Sequence, residues 1–301
     1  MLPASVTIYE VGPRDGLQNE SAIVSLTDKL TFIDRLGAAG LPVIEATSFV
    51  HPHRVPQLAD AEELMTKLVR RPAVRYPVLV PNERGLDRAL SCGVGEVAIF
   101  GSATETFAQR NLGCGIEESF AMFTPVVRRA RAAGLGARAY LSMCWGDPWE
   151  GTVPVAQVVS VGMRLLELGA DQLSLGDTIG VGTAGAVTEL LDAFAAAGIG
   201  ADRLAVHFHD TYGQALANTY AALQWGISTV DSSAGGLGGC PFAESATGNL
   251  ATEDLVWLLQ GLGIHTGIDL PALVEVSTWM AGILGRPSPS RVVQALSGQV
   301  G

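Results

Sequence analysis

The stretch VTIYEVGPRDGLQNE, residues 6–20, begins as an apolar, alternating strand and breaks into Pro13-Arg14-Asp15-Gly16. A dinucleotide-binding sheet usually carries a GxGxxG turn after its first strand. Here the strand ends instead on a cation beside an anion in a tight turn. Read alone, Asp15-Gly16 is equally an ordinary turn carrying a solvated ion pair.

Working outward, short apolar segments rich in strand-forming residues recur at 6–11, 42–47, 76–80, 96–100, 138–142, 172–175, 204–208 and 229–232. Helical periodicity separates them, as in Leu26, Leu30, Ile33 and Leu36, spaced three or four apart on one face. Gly40, Gly93, Gly134, Gly169, Gly198 and Gly226 each fall between a helical pattern and the next strand, where a left-handed cap needs no Cβ. Ser25 with Asp28, and Thr252 with Glu253 and Asp254, mark helix starts. Eight strand–helix units with short connections close most economically as an α/β fold, the (β/α)8 TIM barrel, which needs ~250 residues. An open doubly wound sheet is the structural alternative. Residues 270–284 form an appended C-terminal helix beyond the eighth unit. With no linker or low-complexity segment, residues 1–301 read as a single catalytic domain.

Composition narrows the function classes. Hydrophobic residues make up 48% of the chain and charged ones only 16%, enough for a core that needs no disulfide staples. A formal net charge of −11 argues against a nucleic-acid partner, which demands clustered Lys and Arg. Cys92, Cys114, Cys144 and Cys240 show neither zinc-site nor disulfide spacing, which suits a reducing compartment. The first residues lack the basic and apolar blocks of a targeting peptide, and the uncharged run 211–230 is too polar for a membrane span. A cytoplasmic protein without membrane contact is the expectation.

In a barrel, chemistry belongs where strands end, and the polar residues cluster there: Asp15 after strand one, Glu45 and Ser48 at strand two, Asp177 and Thr178 after strand six, His207, His209 and Asp210 at strand seven. His207 and His209, two apart on a strand, point to the same side of the sheet. Two hydrogen-bonded core histidines would show the same spacing. Adding Asp15 from another strand end favours a divalent ion, which takes two neutral imidazoles and a carboxylate while keeping positions open. The segment SAGGLGGCPFAESATGNLATEDL, residues 233–255, is glycine-rich around Cys240. It reads either as a phosphate-binding loop after strand eight or as a lid that carries a thiol to the substrate. Asn249 offers a neutral oxygen ligand beyond it.

Four stretches together, EVGPRDGLQNE, IEATSFVHPHRVPQLAD, HFHDTYGQALAN and GLGGCPFAESATGNLATEDL, resemble the 3-hydroxy-3-methylglutaryl-CoA lyase family, in that family's order and from residue 6 to the region of Arg291. The wider group, with homocitrate, isopropylmalate and citramalate synthases, shares the RDG turn, the HxH pair and a metal-dependent barrel. Gly238-Gly239-Cys240-Pro241 follows the lyase branch. The resemblance implies cleavage of 3-hydroxy-3-methylglutaryl-CoA to acetoacetate and acetyl-CoA. It implies Mg2+ or Mn2+ held by Asp15, His207, His209 and Asn249, with Arg14, Glu45, Asp177 and Cys240 at catalytic positions. His207 or Asp15 would be the base, Cys240 the proton donor and Arg14 the enolate stabiliser. Gln18 and Asn111 would contact the acyl-CoA substrate, and a homodimer is the expected assembly. The rival readings are a lyase for a related 3-hydroxyacyl-CoA and a condensing synthase, although synthases typically append a further domain and only about forty residues follow Ile264. His51 and His53, in HPHR, read as a solvated loop.

Overall fold

The computed structural model describes residues 1–239 and 248–297. Its strands and helices run β1 (Thr7–Glu10), α1 (Leu26–Ala38), β2 (Val43–Ile44), β3 (Thr47–Ser48), α2 (Ala61–Lys67), β4 (Val78–Leu79), α3 (Glu83–Ser91), β5 (Glu96–Ser102), α4 (Glu105–Leu112), α5 (Ile116–Ala132) and β6 (Gly136–Ser142). They continue with β7 (Gly146–Asp147), β8 (Gly151–Thr152), α6 (Val155–Glu167), β9 (Gln172–Asp177), α7 (Ala184–Ala196), β10 (Leu204–Phe208), α8 (Ala215–Trp225), β11 (Thr229–Ser232), α9 (Thr252–Gly261), α10 (Leu270–Leu284) and α11 (Arg291–Ser297).

The parallel sheet has the order β2-β1-β11-β10-β9-β6-β5-β4-β3. Its two ends, β2 and β3, are halves of one stretch, so the sheet closes on itself as a (β/α)8 barrel. At the break, Glu45 N–H donates to Glu10 O at 2.8 Å on one side, and Ala46 N–H donates to Pro77 O at 3.0 Å on the other. The expected second strand is therefore real but divided, its backbone shared between two neighbours. Prolines 77 and 81 bracket β4 and keep it to two residues, because neither can donate to a ladder.

The six glycines read as helix ends all have positive φ, from 64° to 117°. At Gly40 a side chain is also sterically barred, since a Cβ would lie 2.5 Å from Gly267 O. Ser25 caps α1 by accepting from Asp28 N–H at 3.1 Å. The appended helix is present as α10, and α11 follows it. The short hairpin of β7 and β8 was not foreseen, since two-residue strands leave no periodic signal.

Strand alternation sorts side chains into two regions. Ile8, Val206, Phe208 and Val230 join Phe32, Ile33 and Phe194 in the core between strands and helices, where burying each large side chain contributes about 2–3 kcal/mol. Tyr9, Val11 and Val43 form a separate cluster, as do Leu79, Ala98 and Tyr140. Among the described residues, no helix is long and apolar enough to cross a membrane.

Candidate active site

The turn after β1 is a π-helical segment, Gly12–Gly16, tight enough that two positions exclude side chains. A Cβ on Gly12 would meet Glu10 Oε1 at 2.5 Å, and one on Gly16 would meet Ser233 Oγ at 2.7 Å. This turn delivers Arg14 and Asp15 to the barrel mouth. On β10, the same alternation that buries Val206 and Phe208 sends His207 and the following His209 inward, their rings 5.4 Å apart. Leu250 N–H donates to Phe208 O at 3.0 Å, and Asp210 N–H donates to Gly248 O at 3.2 Å, which sets Asn249 opposite His209.

Asp15, His207 and His209 each offer one ligand atom, and these atoms lie within 4.8 Å of one another. Asn249 Nδ2 donates to Asp15 Oδ2 at 2.9 Å and to Leu237 O at 3.0 Å. Its Oδ1 and His209 Nδ1 are buried with no partner. One carboxylate, two imidazoles and an unpartnered amide oxygen are a donor set that fits a divalent cation with positions left open for substrate. Electrostatics agree with that use. Burial pushes the Asp15 carboxyl up, but Arg14, His207 and His209 hold it well below the usual carboxylate range. Burial, with His207 beside it, lowers His209 to about 4, so its ring is neutral near pH 7.

Arg14 is buried at the inner end of this turn. Its Nη1 reaches Asp15 Oδ1 at 2.5 Å, while Nε and Nη2 both reach Glu45 Oε2 at 2.8 Å. Tyr140 donates its hydroxyl to the same Glu45 oxygen at 3.0 Å, and Glu45 Oε1 is buried without a partner. Burial raises the proton affinity of Glu45 against the opposing charge of Arg14. A cavity of about 780 Å³ opens over these groups, lined by Arg14, Asp15, Gln18, Asn111, Tyr140, His207 and His209 among others.

The structure thus brings Arg14, Asp15, Gln18, Asn111, His207, His209, Glu45 and Asn249 to one mouth. Asp177 stands apart: it does not line the cavity, and its oxygens accept Val181 N–H at 3.0 Å and Gly182 N–H at 2.9 Å. Burial raises it to about 6 although both those hydrogen bonds oppose the shift. Its visible work is shaping the loop after β9. Cys240 lies outside the described residues. His51 and His53 are exposed as expected, but their rings stack at 5.3 Å and His51 lines the cavity rim with Arg54 and Arg110.

Sequence reasoning missed Arg138 and Asp231. Both are buried charges within strands, and a buried charge on a strand is the signal that its face meets a polar interior. Asp231 Oδ2 lies 3.3 Å from His207 Nδ1 and takes the Ser174 hydroxyl at 2.7 Å.

Fold and site together define a class: a (β/α)8 barrel whose mouth holds a carboxylate–imidazole set suited to a divalent ion. The chain belongs to the HMGL-like family, whose model matches residues 5–280. It is 52% identical over 294 residues to the mitochondrial hydroxymethylglutaryl-CoA lyase of Rattus norvegicus, covering 98% of this chain and 90% of the relative. It is also 52% identical to the cytoplasmic 3-hydroxy-3-methylglutaryl-CoA lyase of Danio rerio, over 98% of this chain and 88% of that protein. The crystal structure of hydroxymethylglutaryl-CoA lyase from Pseudomonas aeruginosa superimposes with a TM-score of 0.96 at 49% identity, covering 99% of each chain.

Proposed function

We propose that this protein is a divalent-metal-dependent carbon–carbon lyase that cleaves 3-hydroxy-3-methylglutaryl-CoA to acetoacetate and acetyl-CoA. The observation that carries the reading is the convergence of Asp15, His207 and His209 on one point beside the buried Arg14, in a chain about half identical to curated lyases along nearly its whole length. Asp15, His207, His209 and Asn249 would hold the ion. When bound, Mg2+ or Mn2+ supplies Lewis acidity worth several kcal/mol at a developing oxyanion.

Cleavage breaks the C2–C3 bond, so the C3 hydroxyl must lose a proton while electrons collect on the thioester oxygen. Arg14 serves that oxygen. Three of its five N–H groups are committed to Asp15 and Glu45, which leaves two donors for an enolate in a buried setting where they act strongly. For the base at the C3 hydroxyl, the Tyr140–Glu45 pair stands beside His207 and Asp15 as a candidate. His207 turns Nδ1 to Asp231 and would give Nε2 to the ion, and Asp15, which against burial Arg14 and the two imidazoles hold below the usual carboxylate range, would be a ligand as well. A relay through the cavity wall would have Tyr140 take the hydroxyl proton as its own passes to Glu45. Cys240 is assigned the protonation of the acetyl-CoA carbanion, and the cysteine-to-serine variant should lose most turnover.

The direct experiment incubates purified protein with 3-hydroxy-3-methylglutaryl-CoA, with and without a chelator, and measures acetoacetate and acetyl-CoA. Release that stops with chelator and returns with Mg2+ or Mn2+ is the expected result. Protein that binds Mn2+ yet releases neither product would sink the reading. A cytoplasmic location, in line with the Danio rerio relative, and a homodimer complete the proposal; cell fractionation and native mass by light scattering test them.

A further inference from the structure

Below the barrel mouth, four strands contribute one polar side chain each to a closed cluster: Arg138 from β6, Ser174 from β9, His207 from β10 and Asp231 from β11. We propose that Asp231 is a positioning residue that holds His207 in the tautomer with hydrogen on Nδ1, so that Nε2 stays bare toward Asp15 and His209. The inference rests on the metal-site reading above and deepens it.

The register makes the contact obligatory, because His207 and Asp231 are direct partners across the parallel ladder of β10 and β11. The carboxylate has no freedom to turn away. Arg138 Nη2 reaches Oδ1 at 2.6 Å, Nη1 reaches Oδ2 at 3.1 Å, and the Ser174 hydroxyl donates to Oδ2 at 2.7 Å. The guanidinium is itself wedged, 3.9 Å from the centre of the Tyr9 ring and 4.9 Å from that of Tyr140. A guanidinium can only donate, so both oxygens facing it are acceptors. Nδ1 of His207, 3.3 Å from Oδ2, must therefore carry the hydrogen.

The other ring nitrogen makes no competing hydrogen bond to Asp15. Nε2 lies 3.9 Å from Asp15 Oδ2, outside hydrogen-bond range. Asp15 is held instead by Asn249 and Arg14, and the gap suits two ligand atoms arranged around an ion. Asp231 is 1% exposed and does not line the cavity, so it touches no substrate and acts through His207 alone. The same carboxylate also fixes the plane of the ring, as outer partners of ligating histidines do.

The test reads the ring nitrogens directly in full-length protein carrying 15N-histidine and freed of metal, and follows Mn2+ affinity by paramagnetic resonance of the free ion. The pH is held high enough to keep the His207 ring neutral, since against burial Asp231 and Asp15 raise its proton affinity. Wild type should show His207 with hydrogen on Nδ1. In Asp231→Ala nothing accepts from Nδ1, and the hydrogen is free to move to Nε2, where Asp15 can take it. Mn2+ affinity should then fall about 10–100-fold. Asp231→Glu, which restores the acceptor, should recover the wild-type tautomer. A neutral wild-type His207 with its hydrogen on Nε2, or an Asp231→Ala protein with unchanged Mn2+ affinity, overturns the proposal. The wild-type tautomer is read without any variant, so a substituted chain that fails to fold leaves that arm decisive. Wild-type protein with hydrogen on Nδ1 and no affinity for Mn2+ would instead remove the metal site and leave the positioning of His207 intact.

Discussion

Arg14 stands between two anions and cannot satisfy both without giving up most of its donors. Glu45 takes two of them and Asp15 one, so the guanidinium is fixed in place before substrate arrives. Pre-organisation of this kind is where buried charge gains its effect, since nothing must reorient as the enolate forms. Arg14→Met should lower kcat by about 10²–10³-fold with a much smaller change in KM, measured by steady-state acetoacetate release. Arg14→Lys should rescue little, because an ammonium cannot reach both carboxylates from one plane. His209→Ala should weaken Mn2+ binding by on the order of 100-fold or more, at least what outer-shell changes cost, as titration calorimetry would read. An unchanged Mn2+ affinity would remove His209 from the ligand set.

At the scale of elements, the site depends on how the turn after β1 is clamped to the segment after β11. Glu10, at the end of β1, accepts Gly12 N–H at 2.7 Å, Ala234 N–H at 2.9 Å and the Thr252 hydroxyl at 2.6 Å. Glu253, in the first turn of α9, accepts Gly235 N–H at 2.8 Å and the hydroxyl of Ser277 from α10. Burial raises Glu10 to about 7 and Glu253 to about 8, against those hydrogen bonds. Both are raised above their unfolded values, so the stability their protonated forms confer is complete below about pH 4.5 and is lost as pH climbs through 7 and 8. The melting temperature should therefore fall between pH 5 and pH 9, a loss on the order of a few kcal/mol, and Glu253→Gln should flatten its upper part. Scanning calorimetry across that range decides it; a flat or rising profile in the wild type would count against buried, protonated carboxyls. Gly16→Ala drives a methyl into Ser233 and Leu237 in the same clamp, and should cost about 1–3 kcal/mol of stability in a denaturant titration.

Over the whole molecule, the barrel closes through apolar contacts and ladder hydrogen bonds that owe nothing to an ion. Chelator-treated protein should keep its far-ultraviolet circular dichroism while losing turnover. Adding Mn2+ at about 100 times its Kd should raise the melting temperature by roughly 5 °C, the equivalent of about 2.7 kcal/mol for a chain of this size. A chelator that melts the fold would make the site structural instead.

The alternation of short strands with helical stretches, the glycines at helix ends and the pairing of His207 with His209 were legible in the amino-acid order, because each is set by spacing of two or about four residues along the chain. The turn Pro13–Gly16 announced a polar strand end in the same way. Tertiary structure alone decided three things: that Asp177 accepts the N–H groups of its own loop, that residues 42–49 split to close the barrel, and that Arg138 and Asp231, ninety-three residues apart, meet beneath His207. Local spacing fixes the direction a side chain takes from its own backbone. What it meets there depends on closure of the sheet, which brings distant strands into register and is written in no single stretch of the chain.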